Sequence, residues 1–163
     1  ERCGVRATFF ELGVNIDAYP WLSANVANAG HKIGNHTYNH PDLTRLARSA
    51  INDQVGWTQS SILNATGQRT ACFRPPYGSI NATVRDVVAA YRLTPWIWNI
   101  DPRDWARPGV SAIVDNVLTN ARADAVILMH DGGGNRSQTV QALDTIIPTL
   151  LARGYHFEML PCW

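Results

Sequence analysis

Short apolar runs alternate along the chain with longer segments in which apolar side chains recur about every 3.6 residues. Short runs rich in β-branched and aromatic residues are typical of buried strands, and the longer period predicts amphipathic helices. The runs predict strands at residues 5–12, 31–35, 71–74, 95–100, 125–130 and 156–160. The periodic segments predict helices at residues 18–29, 42–67, 81–91, 111–121 and 137–153.

This alternation of strand and helix predicts an α/β protein with a parallel sheet, because a helix between two parallel strands gives the usual right-handed crossover. An open sheet and a closed barrel both satisfy the pattern. Polar side chains at or just after the ends of four predicted strands favour a (β/α) barrel, since the loops that leave barrel strands meet on one face. These side chains are His36 and His40, Arg74 and Tyr77, Asp101 and Trp105, and His130.

Length and charge limit what the chain can bind. Its 163 residues suit one domain with a continuous core. The formal net charge is +1 and no run of lysine or arginine stands out, which argues against a nucleic-acid or anionic-membrane partner. The longest apolar stretches fall far short of the ~20 residues that cross a bilayer, so we expect no transmembrane segment. We expect the protein to be a monomer.

Cysteines and glycosylation sequons bear on the compartment of the protein. The three cysteines lack metal-ligand spacing and, being odd in number, cannot all pair within the chain. They are Cys3, Cys72 and Cys162. Asn-x-Ser/Thr sequons would permit glycosylation if the protein is secreted from a eukaryote. They begin at Asn35, Asn64, Asn81 and Asn135.

His36 and His40 lie four residues apart after a predicted strand, within the sequence Gly-Asn-His-Thr-Tyr-Asn-His. This spacing can direct two ring nitrogens to one ion, and zinc is a frequent occupant of imidazole sites. Loop histidines that only make hydrogen bonds are the alternative. A catalytic zinc normally takes three protein ligands, so the third would come from elsewhere.

Arg74 precedes two prolines, and Tyr77 follows them. The prolines remove backbone donors and hold the chain extended. An arginine before such a rigid turn can bind a carboxylate through two hydrogen bonds. A structural turn that carries a surface arginine is the competing interpretation.

The segment from Asp101 to Trp105 places two carboxylates and an indole just beyond a tryptophan-containing strand. Trp105 lies past the strand end, where an exposed indole can stack on a sugar ring. Asp104 can simply cap local backbone donors.

His130 ends an apolar strand and is followed by Asp131 and three consecutive glycines. The glycines permit positive backbone dihedrals and close approach of a ligand, but they lack the Lys-Ser/Thr of a phosphate-binding loop. Because the unperturbed pKa of histidine lies close to neutrality, a residue in this position is a candidate general acid. A structural histidine satisfied by hydrogen bonds is the alternative.

The ordered set His-Thr-x-x-His, Arg-Pro-Pro-Tyr, Asp-x-x-Asp-Trp and Leu-x-His resembles the polysaccharide deacetylase domain of carbohydrate esterase family four. Each motif alone is weak, but their order along the chain is specific. Further similarity at residues 7–10 and 30–36 extends the resemblance over nearly the whole chain. The family includes chitin, chitooligosaccharide and peptidoglycan deacetylases and acetylxylan esterases, built on a distorted (β/α) barrel that binds a divalent metal, often zinc.

The resemblance implies how the metal and the oxyanion would be held. His36 and His40 would be the imidazole ligands of a divalent metal, with zinc expected and cobalt or another transition metal as alternatives. Arg74 would orient the catalytic base. The backbone amide of Tyr77 would help to bind the oxyanion.

The same resemblance makes His130 the general acid that protonates the leaving amine or alcohol. Asp101 would hydrogen-bond and tune this histidine. Leu128 would line the pocket for the acetyl methyl group, and Trp105 would form one wall of the sugar groove.

One family motif has no counterpart in this sequence. Family members carry Thr-Phe-Asp-Asp on their first strand, where one aspartate is the general base and the next is the third metal ligand. No Asp-Asp pair occurs in the 163 residues, so we expect residues 1–163 to be an N-terminally incomplete deacetylase domain that lacks the first strand. Unless Asp101, Asp104 or Asp131 substitutes, the chain is expected to bind metal weakly and to show little or no turnover.

These motifs together predict a metal-dependent hydrolase that removes acetyl groups from a polysaccharide. The substrate would be an N-acetylglucosamine polymer such as chitin or peptidoglycan, or acetylated xylan, or an oligosaccharide of these, met outside the cell or at the cell wall. A non-catalytic carbohydrate-binding remnant of the same fold is the alternative. Such a binder would not need both histidines together with Arg74, Asp101 and His130.

Overall fold

A computed structural model of the protein describes residues 4–162. These residues form two compact units, one from residues 4–97 together with 157–162 and the other from residues 98–156. No helix in this part of the chain is both long and apolar enough to cross a bilayer.

The first unit contains a parallel four-stranded sheet. Its strands, in spatial order, are β1 (Thr8–Glu11), β2 (Lys32–Asn35), β3 (Cys72–Phe73) and β4 (Thr94–Pro95). Each connection between neighbouring strands contains helix, as parallel pairing requires. Among residues 4–162 the sheet is not closed, in keeping with a distorted barrel.

Four helices make these connections: α1 (Gly13–Ala18), α2 (Pro20–Asn28), α3 (Arg48–Thr66) and α4 (Ala82–Ala90). Pro20 opens α2, where its missing N–H is not needed. Gly67 ends α3 with a φ of 69°, a left-handed conformation that glycine adopts without steric penalty. The core between helices and sheet contains Leu43, Ile51, Val55, Phe73, Val84, Val87, Val88 and Leu93.

The second unit pairs α5 (Val110–Asn120) with α6 (Ser137–Ala152). Each helix buries an apolar stripe that includes Ile113 and Val117 in α5 and Ile146 and Leu150 in α6. A short 3-10 turn, Asp104–Ala106, precedes α5.

The predicted parallel α/β fold is confirmed, but two of the predicted strands do not form ladders. Residues 125–130 contribute one isolated parallel bridge, between Ile127 and Ile100, and residues 156–160 form no strand within the described chain. Side-chain oxygens replace some backbone acceptors there, since the amide of Val126 donates to Asn99 Oδ1 and that of Leu160 donates to Thr8 Oγ1. An amide that donates to a side chain is not available for a ladder hydrogen bond.

A disulfide joins Cys72 to Cys162 across 90 residues of sequence. Both cysteines are buried, and the amide of Ala71 donates to the carbonyl of Cys162 beside the bond. The sequence left the pairing of the three cysteines open, and the structure pairs these two. Cys3 lies outside the described residues. The disulfide fastens the C-terminal segment to β3, the strand that leads into Arg74.

Candidate functional site

The two histidines predicted as metal ligands lie together just after β2, in the first unit. Their ring centroids are 4.8 Å apart and the rings meet edge to face. Nδ1 of His36 lies 2.7 Å from the carbonyl oxygen of Arg74, so Nδ1 carries a proton and donates it. The neutral ring then has its lone pair on Nε2, which is the usual arrangement of a histidine that binds a metal.

The loop that carries both rings has an unusual backbone. Thr37 and His40 have positive φ values of 70° and 65°, a conformation that costs an L-residue on the order of 1 kcal/mol. Hydrogen bonds offset this cost: the amide of Thr37 donates to Asn35 Oδ1, that of His40 to Thr37 Oγ1, and that of Tyr38 to Gln54 Oε1. The positions of the two rings are therefore fixed by the surrounding structure.

Asn35 anchors this loop to the core. Its side chain is fully buried and donates through Nδ2 to the carbonyl of Val55 and to Gln59 Oε1, while its Oδ1 accepts from Thr37. From the sequence, the side chain of Asn35 was predicted only as a glycosylation acceptor, whereas the structure gives its amide group a positioning role below the histidines.

Arg74 is a buried cation and not the surface arginine of the competing interpretation. Its side chain is 8% exposed at the end of β3, and burial lowers the pKa of its guanidinium to about 10, so it stays charged at neutral pH. Cζ lies 4.1 Å from the centroid of the Phe10 ring, and Nε donates to the carbonyl of Trp96. The positive charge is thereby held in one place beside the carboxyl ends of β1 and β3.

Tyr77 lies in a tight turn that places its ring against His40. It has a φ of 59°, between the buried Pro76 and Gly78. Its ring centroid lies 4.8 Å from that of His40. The first unit thus brings together four predicted site residues, His36, His40, Arg74 and Tyr77.

His130, in the second unit, is paired with Asp104. Its Nδ1 lies 2.7 Å from Asp104 Oδ1, and its backbone amide donates to Asp104 Oδ2 at 2.8 Å. The expectation that Asp101 hydrogen-bonds His130 is therefore wrong. Asp101 Oδ1 instead accepts from the amide of Arg103 across Pro102, the local turn that an aspartate before proline favours.

The carboxylate of Asp104 is fully buried yet ionised. Burial alone would raise its pKa, but hydrogen bonds from the His130 ring, the His130 amide and the Thr139 hydroxyl, together with the charge of His130, lower the pKa below its usual value. An ionised acceptor at Oδ1 requires the proton of the neutral ring to be on Nδ1. The side chain of His130 is 35% exposed, so the opposite edge of the ring can meet a ligand.

Leu128 and Trp105, two of the predicted substrate contacts, lie next to this pair along the chain, Trp105 just after Asp104 and Leu128 two residues before His130. Leu128 is buried, and its amide donates to the carbonyl of Ile100. Trp105 directly follows Asp104 and is 47% exposed, with the guanidinium of Arg103 5.4 Å from its ring. A half-exposed indole is suited to stack on a sugar ring.

A divalent metal would find two suitable ligands among these residues. The imidazoles of His36 and His40 are adjacent, and the hydrogen bond at Nδ1 of His36 leaves Nε2 as the ligating atom. Within residues 4–162, no group of three histidine, cysteine, aspartate or glutamate side chains could hold a metal ion. The two histidines fit the metal, and a third ligand is not found in the described chain.

A family model for polysaccharide deacetylases matches residues 1–96. The chitooligosaccharide deacetylase of Rhizobium leguminosarum bv. trifolii is 42% identical over 168 aligned residues, which cover 96% of this chain and 78% of that protein. The chain belongs to the polysaccharide deacetylase family. This membership confirms the resemblance drawn from the ordered motifs.

Two further family proteins extend the comparison. The peptidoglycan-N-acetylglucosamine deacetylase of Bacillus cereus is 39% identical over 161 residues, covering 93% of this chain and 71% of that protein. A crystal structure of a CE4 family pseudoenzyme from Bacillus anthracis matches 98% of this chain with a TM-score of 0.92 and 31% identity, and this chain spans 55% of it. Polysaccharide deacetylation is the function that the relatives support. The non-catalytic alternative is not favoured, since identity to both deacetylases is higher.

Proposed function

We propose that this deacetylase-family chain hydrolyses the acetamido groups of an N-acetylglucosamine polymer, such as a chitooligosaccharide or peptidoglycan. Water adds to the acetyl carbon, the C–N bond breaks, and acetate and a free amine leave. The observation that carries the proposal is the hydrogen bond between His130 and the fully buried Asp104. Proton transfer to a departing amine needs a positioned acid, and an imidazole held by a buried carboxylate supplies one.

We assign His36 and His40 as ligands of a divalent metal, for which zinc suits the imidazole donors. The chemistry supplied by the bound metal would be polarisation of the acetyl carbonyl and activation of water. Arg74, charged and fixed, suits the orientation of a carboxylate base. The backbone amide of Tyr77 is assigned to the oxyanion.

His130 acts as the general acid in this proposal. Asp104 accepts the hydrogen bond from Nδ1–H and stabilises the imidazolium, so the charged ring donates its Nε2 proton to the leaving nitrogen as the C–N bond breaks. The same transfer to oxygen would serve an acetyl ester, such as acetylated xylan. Trp105 is assigned to stack on a sugar ring and Leu128 to line the acetyl pocket.

The buried disulfide supports a location outside the cell or at the cell wall, since such bonds persist in oxidising compartments.

Acetate release from acetylated chitooligosaccharides tests the proposed function. Each reaction is run with added zinc or cobalt and repeated after chelation. We expect acetate release that depends on the added metal and stops when the metal is removed. Oligosaccharide binding without acetate release under any metal would instead support the non-catalytic alternative.

Zinc titration of the 163-residue chain tests the metal assignment separately from activity. We expect weak binding that is lost in His36→Ala and in His40→Ala, because two imidazoles supply fewer ligands than a catalytic zinc normally has. His31→Ala is the matched control, since His31 lies in the same unit and accepts from the amide of Ala7. Nanomolar one-to-one binding would show that the chain itself contains a third ligand.

A further inference from the structure

We propose that Thr139 is a positioning residue for deacetylation: its hydroxyl holds the carboxylate of Asp104 in the orientation that fixes the ring of His130. The inference rests on the proposed role of His130 as general acid and extends it to a residue in another element. Thr139 lies in the first turn of α6, and its side chain is buried.

The two oxygens of Asp104 have separate partners. Within the described chain, Oδ1 accepts from the ring of His130 alone, at 2.7 Å, whereas Oδ2 accepts from the His130 amide and from Thr139 Oγ1, both at 2.8 Å. Two donors on Oδ2, one from the backbone at His130 and one from α6, hold the carboxylate in one orientation. That orientation in turn aims Oδ1 at Nδ1 of the imidazole.

Thr139 is a specific partner of this carboxylate. Among residues 4–162 it is the only side chain apart from His130 that donates to Asp104. The nearby guanidinium of Arg136 donates to the carbonyls of Trp105, Gly132 and Gly133 and leaves the carboxylate alone.

A threonine hydroxyl in a helix commonly bonds to the carbonyl four residues earlier. Thr149, further along α6, does so with the carbonyl of Thr145 at 2.7 Å. Thr139 instead donates across to the 3-10 turn that contains Asp104. Its hydroxyl therefore contributes to the site and not to the helix.

Loss of this donor would release one side of a buried carboxylate. The torsion that turns a carboxylate plane is broad and easily rotated, and Oδ2 would keep a single hydrogen bond, from the His130 amide. Rotation toward that amide moves Oδ1 away from Nδ1. The imidazole then loses the acceptor that selects its Nδ1–H tautomer.

The test is Thr139→Val, which keeps the shape of the side chain and removes the hydroxyl. Nitrogen-15 NMR of the His130 ring, at a pH where the ring is neutral, is expected to show a shift from the Nδ1–H toward the Nε2–H tautomer. Where acetate release is measurable, kcat should fall roughly tenfold with KM unchanged, the size expected for one hydrogen bond to a charged group. Thr139→Ser should restore both properties.

Thr149→Val is the matched control, since it removes a hydroxyl from the same helix that bonds only within the helix. Thr139→Cys, with a weaker donor, should give an intermediate shift and serves if the valine variant does not fold. A wild-type tautomer in the valine variant, or in the cysteine variant where only that one folds, would overturn the proposal. Because the NMR signal needs no turnover, a shifted tautomer in a chain that releases no acetate would reject the proposed function alone.

Discussion

Where acetate release is measurable, replacement of His130 by alanine is expected to lower its kcat by on the order of 10²–10⁴, the contribution of a positioned general acid. The departing amine needs a proton as the C–N bond breaks, and the His130 ring, 35% exposed and fixed by Asp104, is assigned to supply it. KM should change little, because the proton is transferred only in the transition state. Steady-state kinetics on acetylated chitooligosaccharides measure both parameters.

Two comparisons make this expectation specific. An aryl acetate releases a phenolate that needs no protonation, so the alanine variant should hydrolyse such an ester almost as well as the wild type. His156→Ala, in the same unit and exposed, should retain full activity on both substrates. Equal losses on the amide and the aryl ester would show that His130 is not the general acid.

Asp104→Asn is expected to reverse the tautomer of His130. An asparagine that keeps its oxygen toward the His130 amide and Thr139 turns its NH₂ group toward Nδ1, which must then accept. The imidazolium also loses its counter-charge, so kcat should fall by on the order of 10²–10⁴, as when the carboxylate of a serine-protease triad is changed to an amide. Nitrogen-15 NMR of the ring and acetate release measure the two effects.

Asp101→Asn is the control for this substitution. It makes the same chemical change three positions earlier, on a carboxylate that caps a local turn. We expect a wild-type tautomer and nearly wild-type kcat. A larger loss of kcat in Asp101→Asn than in Asp104→Asn would instead support Asp101 as the carboxylate that tunes His130, as predicted from the sequence.

Asp104→Asn is also expected to change how the free energy of unfolding depends on pH. The pKa of Asp104 is lowered in the folded protein, so its ionised form contributes stability above the unfolded pKa of about 3.9 and loses it as pH falls through the lower folded value. The difference in unfolding free energy between wild type and Asp104→Asn should therefore narrow from pH 7 to pH 3. Urea denaturation at both pH values measures it, and a constant difference would contradict the ionised state.

The sequence predicted the parallel α/β fold well because helix periods and short apolar runs report burial directly. It predicted strand pairing less well, since an apolar run at residues 125–130 shows that the segment is buried but not which acceptor each amide finds. Asn99 supplies one of those acceptors from its side chain, and only one bridge remains. Such competition between side chain and backbone depends on three-dimensional neighbours.

The choice between Asp101 and Asp104 shows the same limit at the site. Both carboxylates follow one strand, and the family motif contains both. The Asp-Pro step at Asp101 was a usable signal for local capping, because such an aspartate bonds to the amide two residues later. Nothing in the sequence around Thr139 indicated its hydrogen bond to Asp104, since the two residues are 35 positions apart.

The buried amide of Asn35 has a practical consequence for producing the protein in eukaryotic hosts. Its sequon is a legitimate target for oligosaccharide transfer while the nascent chain is still unfolded, yet the folded side chain has no exposed surface. An oligosaccharide attached at that nitrogen would prevent the Asn35 side chain from reaching its buried position below the histidines. Mass-spectrometric occupancy at Asn35 would thus report the fraction of secreted molecules that never matured, whereas a sugar on the exposed Asn64 would leave the fold intact.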